Sequence, residues 1–370
     1  MPSRPLKPPR RTDPSRCAAL RRILILSSLP ILWISLSAGL GCVAASPEPP
    51  GELSERPAPK APGPLRHWPL DPERLETALR SDPIEVLSER YAGAGLTGAS
   101  RVELRLLEAG LEISAKWKPM PPGFDGINNS PRKELAAYEV QKLVLDPSDY
   151  VVPTSVARCL PASAFPDPTE HVEERFPGSR CELGVLSVWL ENVTLPEQLL
   201  DVKRFEENEG YARHLARFNL VTYLILHQDG RRGNFLVSTD PEDRRVFAVD
   251  NGVAFSGIWY NWFVPNWKRI RVPALDQRSF ERMRELDAED LESLAVVAEL
   301  RRLPDGMLVP VPAGPIRERD EGVRIDGPTL QLGLTEDEIE NLFERIEELI
   351  EEVEEGDLSI LPPPGSREDL

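Results

Sequence analysis

His227, Asp229 and Asn234 fall in one short polar stretch, His227-Gln-Asp-Gly-Arg-Arg-Gly-Asn234, and an alternating segment follows that ends on Asp250-Asn-Gly. In a His-x-Asp-x-x-x-x-Asn run the aspartate can take the proton of a substrate hydroxyl and the asparagine can hold a metal ion. A second aspartate, at the end of the next strand, grips the metal that bridges nucleotide phosphates. The chemistry implied is phosphoryl transfer. An Asp-x-x-x-x-Asn pair also arises in ordinary polar turns, so the assignment depends on its surroundings.

Those surroundings supply the rest of such a site. Glu103-Leu-Arg-Leu-Leu and Leu111 to Met120 read as two strands around a turn at Gly110, and the second ends on Lys118, whose ammonium can reach phosphate oxygens. Pro131 to Leu145 reads as a helix with Glu134 in its first turn, which makes Glu134 the natural ion-pair partner of Lys118. Singly, each is also what an ordinary surface charge looks like; the ordered set is not. Ahead of the lysine, Gly93-Ala-Gly95-Leu-Thr-Gly98 has the Gly-x-Gly-x-x-Gly form that lets backbone amides cover phosphates. Gly93 also suits the C-cap of a helix ending near Tyr91. A helix there argues against a dinucleotide fingerprint, which should follow a strand.

Trp117-Lys-Pro-Met120, Glu134-Leu-Ala-Ala-Tyr138 followed by Val152-Pro153, Gly184 to Leu190 and Asp250-Asn-Gly-Val-Ala-Phe255 occur in this order. Together they resemble the atypical kinases of the secretory pathway, the group of the Golgi casein kinase and the proteoglycan xylose kinase. The Asp250 block is also similar to phosphatidylinositol 4-kinases, and the Glu134 helix to HipA-type kinases. Over residues 95 to 275 the resemblance implies an α+β, two-lobed protein-kinase-like fold: an antiparallel N-lobe sheet with one helix, and a mainly helical C-lobe. It implies ATP as phosphoryl donor with Mg²⁺ or Mn²⁺, and a protein or glycan hydroxyl as acceptor. It puts Lys118 on the phosphates with Glu134 orienting it, and Asp229 as catalytic aspartate. Asn234 and Asp250 would hold metal, and Trp189, Leu190 and Glu191 would be the hinge beside adenine. The chain departs from that family twice: Gly230 stands where an arginine is usual, leaving Arg231 to face the phosphates, and Asn234 stands where the family carries a glutamate. Two alternatives remain, a nucleotide- or glycan-binding pseudokinase without turnover and a small-molecule or lipid head-group kinase. An intact Asp229 favours an enzyme.

The first 45 residues concern location. Seven of the chain's 44 Lys and Arg, but only one acidic residue, precede Ile23, and Ile23 to Leu40 is uncharged and largely apolar, the pattern of an export signal or an anchor. Ala38-Gly-Leu-Gly-Cys42 resembles a bacterial lipoprotein processing site, with Cys42 acylated and residues 46–69, holding eight prolines, as a tether. An uncleaved anchor and a released form are the alternatives. Export suits the remaining pair, Cys159 and Cys181, as a disulfide; two reduced, buried thiols are the alternative. The chain's formal charge of −17 becomes −23 without the leader, which argues against nucleic acid and anionic lipid surfaces as partners. The expected divisions are 1–45 leader, 46–69 linker, 70–190 N-lobe, 191–356 C-lobe and 357–370 flexible tail. In the last of the structured parts, Thr335-Glu-Asp-Glu338 forms a capping box ahead of an apolar stripe from Ile339 to Val353. Ile258 to Lys268 concentrates three tryptophans, for packing of the lobe or for stacking on a sugar.

Overall fold

The computed structural model describes residues 66–91, 98–126, 130–198, 200–256 and 271–363. All belong to one of the chain's two compact units, residues 60–370. Gly93 and Gly95, the leader with Cys42, the linker up to residue 65, the tryptophan-rich 258–268 segment and the last seven residues lie outside the described residues. No described helix is long and apolar enough to cross a membrane.

Mixed α and antiparallel β structure builds the unit. Five strands, β1 (Ile84–Tyr91), β2 (Ser100–Leu106), β3 (Leu111–Pro119), β4 (Ser155–Leu160) and β5 (Glu182–Val188), form one antiparallel sheet in the order β1-β2-β3-β5-β4. Alternation decides which side is buried: Val102, Leu104 and Leu106 of β2 with Ile113, Ala115 and Trp117 of β3 enter the main core, and Arg101, Glu103 and Arg105 point the other way. Helix α1 (Pro72–Ser81) adds Leu75 and Leu79 to that core, and the Arg158 guanidinium of β4 donates to the carbonyls of Leu79, Arg80 and Asp82, satisfying the helix end. Helix α2 (Pro131–Val144) carries Glu134 in its first turn.

The following segment holds β6 (Val193–Thr194), α3 (Val202–Glu207), the buried helix α4 (Glu209–Leu224), and strands β7 (Phe235–Ser238) and β8 (Val246–Ala248), which join β6 in an antiparallel sheet. Then come β9 (Ala274–Asp276), α5 (Gln277–Glu285) and α6 (Ala288–Glu292). Strands β10 (Ala298–Arg302), β11 (Leu308–Val311), β12 (Val323–Asp326) and β13 (Thr329–Leu332) make a four-stranded sheet, before α7 (Glu336–Glu355) and β14 (Ser359–Leu361). The Thr335/Glu338 capping box is formed, and Leu342, Ile346 and Leu349 of α7 are buried.

Four expectations are corrected. The segment ending at Tyr91 is strand β1, not a helix; a bulge between Val86 and Ser88 breaks its alternation and conceals its period. A strand therefore does precede the glycines, but it pairs antiparallel with β2, so the connection is a hairpin and not the strand-to-helix unit of a dinucleotide fold. Residues 191–356 also hold the β10 to β13 sheet; Leu300, Leu308, Leu330 and Leu332 share a second core with Met120, Cys159, Leu183 and Val185. Within the expected 46–69 linker, His67 and Trp68 are buried beside Phe247, and within the expected 357–370 tail, β14 pairs parallel with β9. Cys159 and Cys181 are disulfide-bonded, their Cα atoms 5.3 Å apart.

Candidate functional site

Period-two alternation sends Trp117 to the apolar side of the first sheet and Lys116 and Lys118 together to the other. Lys118 is 2% exposed, its Nζ 2.8 Å from Asp250 Oδ1 and 3.7 Å from Glu134 Oε2. Lys116 makes the same pairs at 3.1 Å to Asp250 Oδ1 and 3.8 Å to Glu134 Oε1. Two ammonium groups and two carboxylates thus form a neutral quartet in which each lysine faces both acids. Asp250 opens most to solvent, with 42% of its side chain exposed, and Lys116 less, with 20%. Burial would raise the Asp250 carboxyl, but the two lysines outweigh it and hold the group far below the ordinary carboxylate range. For Lys116 burial pulls down, and Glu134 with Asp250 outweighs it, so this ammonium titrates above an ordinary lysine.

Several devices place these groups. Arg132, next to Glu134 on α2, is buried and pairs with Asp125 and Glu338, and Lys133 reaches Glu338 at 3.2 Å, so the capping-box glutamate of α7 also anchors the start of α2. Asp250 has φ 62°, a left-handed conformation that aspartate tolerates better than most residues and that concentrates at functional sites. Gly252 packs closely on the pair: a Cβ there would lie 3.0 Å from Lys118 Nζ and 3.7 Å from Glu134 Oε2, so a side chain would press on the ammonium. Its carbonyl accepts the Ser130 N–H at 3.1 Å, joining the Asp250 segment to the start of α2.

Helix α4 delivers the other half. Its last carbonyl, on Leu224, accepts two hydrogen bonds from the Arg345 guanidinium of α7, at 2.9 and 2.7 Å, and the chain then turns through Leu226 (φ 47°) into the polar stretch. His227 is 1% exposed with neither ring nitrogen hydrogen-bonded; burial keeps it below its ordinary pKa, against the nearby carboxylates of Asp229, Asp250 and Glu134. Asp229 is buried, and the Arg231 guanidinium donates to both its carboxylate oxygens. Asn234 braces the loop: its amide donates to the Asp229 carbonyl at 3.1 Å, and its carbonyl accepts the Val249 N–H at 2.8 Å, one residue before Asp250.

Lys118, Glu134 and Asp250 are thus brought together, and Asp229, Arg231 and Asn234 form the adjoining loop. Lys116 was missed; its signal was the two-residue spacing to Lys118, which puts both on one face of any strand. Gly98 lines a different place, a cavity of about 760 Å³ shared with Tyr91, Glu89, Ser100, His171 and Glu182. Ser100 is the cross-strand partner of Trp117, and Glu182 accepts from the Trp117 indole at 3.0 Å, so this cavity lies on the opposite face of the sheet from the lysines. Its size does not make it the reactive centre, because the convergent charges are elsewhere. At the expected hinge, Leu190 is buried, Trp189 lies half-exposed beneath the Arg101 guanidinium at 4.9 Å, and both backbone groups of Glu191 bond to His67 at 3.0 Å.

Among the described residues no three His, Cys, Asp or Glu side chains gather as a metal site. Two oxygens around Asp250 are of the kind a hard divalent cation takes: Glu134 Oε2 and Asn251 Oδ1 are buried without hydrogen-bond partners, beside an open carboxylate. Asp250 and Asn234 would hold such an ion. Compared with known proteins, the chain matches no family model and no curated protein sequence.

Proposed function

We propose that this chain is a two-lobed, kinase-like phosphotransferase that moves the γ-phosphoryl group of ATP to a hydroxyl of a protein or glycan. The observation that carries the reading is the meeting of Lys118, Glu134 and Asp250, three residues over 130 positions apart at the extremes, in one ion-paired cluster beside the Asp229 loop. Lys118 Nζ would hold phosphate oxygens, with Glu134 fixing its position from a helix itself anchored on α7. Asp229 would take the proton of the acceptor hydroxyl at a carboxylate oxygen. For that, Arg231, 65% exposed and free to swing outward, leaves one of the two oxygens and turns its charge to the transferring group. A divalent cation on Asp250 and Asn234, when bound, would neutralise phosphate charge. The leader fits export and attachment to a membrane through the N-terminus, with Cys42 as the lipidated residue.

The Arg231 clamp on Asp229 and the lysine clamp on Asp250 also favour a second reading, a pseudokinase that binds without turnover. Full-length protein incubated with γ-labelled ATP, Mg²⁺ or Mn²⁺, and mixed protein and sugar acceptors separates the two. Label transfer or metal-dependent ATP hydrolysis supports the enzyme; ATP binding with neither supports the pseudokinase.

A further inference from the structure

A nucleotide cleft usually recognises its ligand twice, by charges on the phosphates and by an apolar slot with backbone hydrogen bonds for the base. Among the described residues only the first half of that arrangement is built. In the protein-kinase pattern the residue two before the strand lysine is a small alanine, on the same face of the strand. This chain places Lys116 there. Its cross-strand neighbours on that face are Arg101 and Ser187, and the next residues along are Glu103 and Ser114, hydrogen-bonded to each other at 2.8 and 2.7 Å. Among the described residues the aromatic ring at this edge is Trp189, half-exposed, with the Arg101 guanidinium over one face at 4.9 Å.

The backbone that would read a base edge is also engaged. The N–H groups of Val188, Trp189 and Glu191 donate to the carbonyls of Thr154, Ser114 and His67, at 2.9, 3.0 and 3.0 Å, and the Glu191 carbonyl faces His67 Nδ1 at 3.0 Å. A base seated against this edge would meet charged and hydroxyl groups and find those three donors taken.

Resting on the phosphotransferase reading, we infer that the cleft selects its donor by the polyphosphate chain and not by the base, with Lys116 as a second phosphate-anchoring residue beside Lys118. A bound triphosphate brings to the two ammonium groups the anionic oxygens they now find on Asp250 and Glu134. The ligand class is a linear tri- or diphosphate, whether carried by a nucleoside or inorganic.

Calorimetric titration of the full-length protein with ATP, GTP and inorganic tripolyphosphate, with and without Mg²⁺, tests this. The three should bind within about fivefold of one another. Lys116→Met should weaken all three in parallel by roughly 10- to 100-fold, the worth of one charge-assisted hydrogen bond, and Lys116→Arg should restore most of it. ATP binding more than about 30-fold tighter than tripolyphosphate, a separation of about 2 kcal/mol that needs specific base contacts, would overturn the inference and leave the phosphotransferase reading standing. Unchanged affinity in a folded Lys116→Met protein would do the same. If none of the three ligands binds, both fall.

Discussion

Replacing Cys159 and Cys181 together by alanine, or reducing their bond, should cost the folded unit about 3 kcal/mol. The cysteines are 22 residues apart in sequence, and closing a loop of that length removes about 11 cal/mol/K from the unfolded chain, or about 3 kcal/mol at 25 °C. For a unit of about 300 residues unfolding with roughly 2 cal/mol/K per residue, this lowers the midpoint by about 5 °C. A second contribution distinguishes the two perturbations. Cys181 Sγ accepts the Leu308 N–H at 3.4 Å inside the core that joins the first sheet to the four-stranded sheet, and alanine removes that partner whereas reduction keeps the sulfur. The alanine pair should therefore be the less stable of the two. Thermal unfolding of oxidised, reduced and alanine-substituted protein, with peptide mapping of the oxidised sample, measures all three states. Equal midpoints for oxidised and reduced protein, or free thiols at both positions in exported material, would refute the reasoning.

Glu134→Ala should leave two ammonium groups, that of Lys118 buried, facing Asp250 alone and destabilise by about 3 kcal/mol, read from denaturant unfolding; Glu134→Gln, which keeps the shape, should lose less. Gly333→Ala should be among the most damaging single substitutions, because its Cβ would stand 1.9 Å from the Ala295 carbonyl oxygen, whereas Gly233→Ala meets no atom within 4 Å and should be nearly neutral in the same assay. Asp243 is held below its ordinary 3.8, at about 2, first by its hydrogen bond from His214 and then by Arg245, against the opposing effect of burial. A carboxyl depressed on folding contributes stability that is complete above its unfolded pKa and lost as pH falls toward the folded one. Asp243→Asn should therefore lower stability at neutral pH and flatten its fall between about pH 4 and pH 2 in acid titrations.

Side chains with rare chemistry at the ends of regular elements were the legible ones. Lys118 closes a strand whose alternation is clean, Glu134 opens a helix marked by Pro131, and Asp250 follows a short apolar strand, so each could be placed by its element. Helix α7 announced itself through Thr335 and Glu338, and the disulfide through an even cysteine count. Strand β1 was hidden because Leu87 falls at the bulge and because Glu85, Glu89 and Arg90 are equally at home in a helix. The four-stranded sheet was hidden by strands of four or five residues, one containing Pro310, although Asp305-Gly306 and Asp326-Gly327 were turn signals within it. Contacts such as His67 on Glu191 or Arg345 on Leu224 join residues over a hundred positions apart, and no local pattern carries them.

On the phosphotransferase reading, Asp229 performs the chemistry while the lysine cluster performs the binding. Single-turnover transfer from labelled ATP and the ATP dissociation constant, measured on wild type and on Asp229→Asn, test it most directly. Asp229→Asn should change the affinity by less than about threefold and reduce the transfer rate on the order of 10²- to 10⁴-fold, the usual contribution of a positioned general base. Equal transfer rates in the two proteins would contradict it.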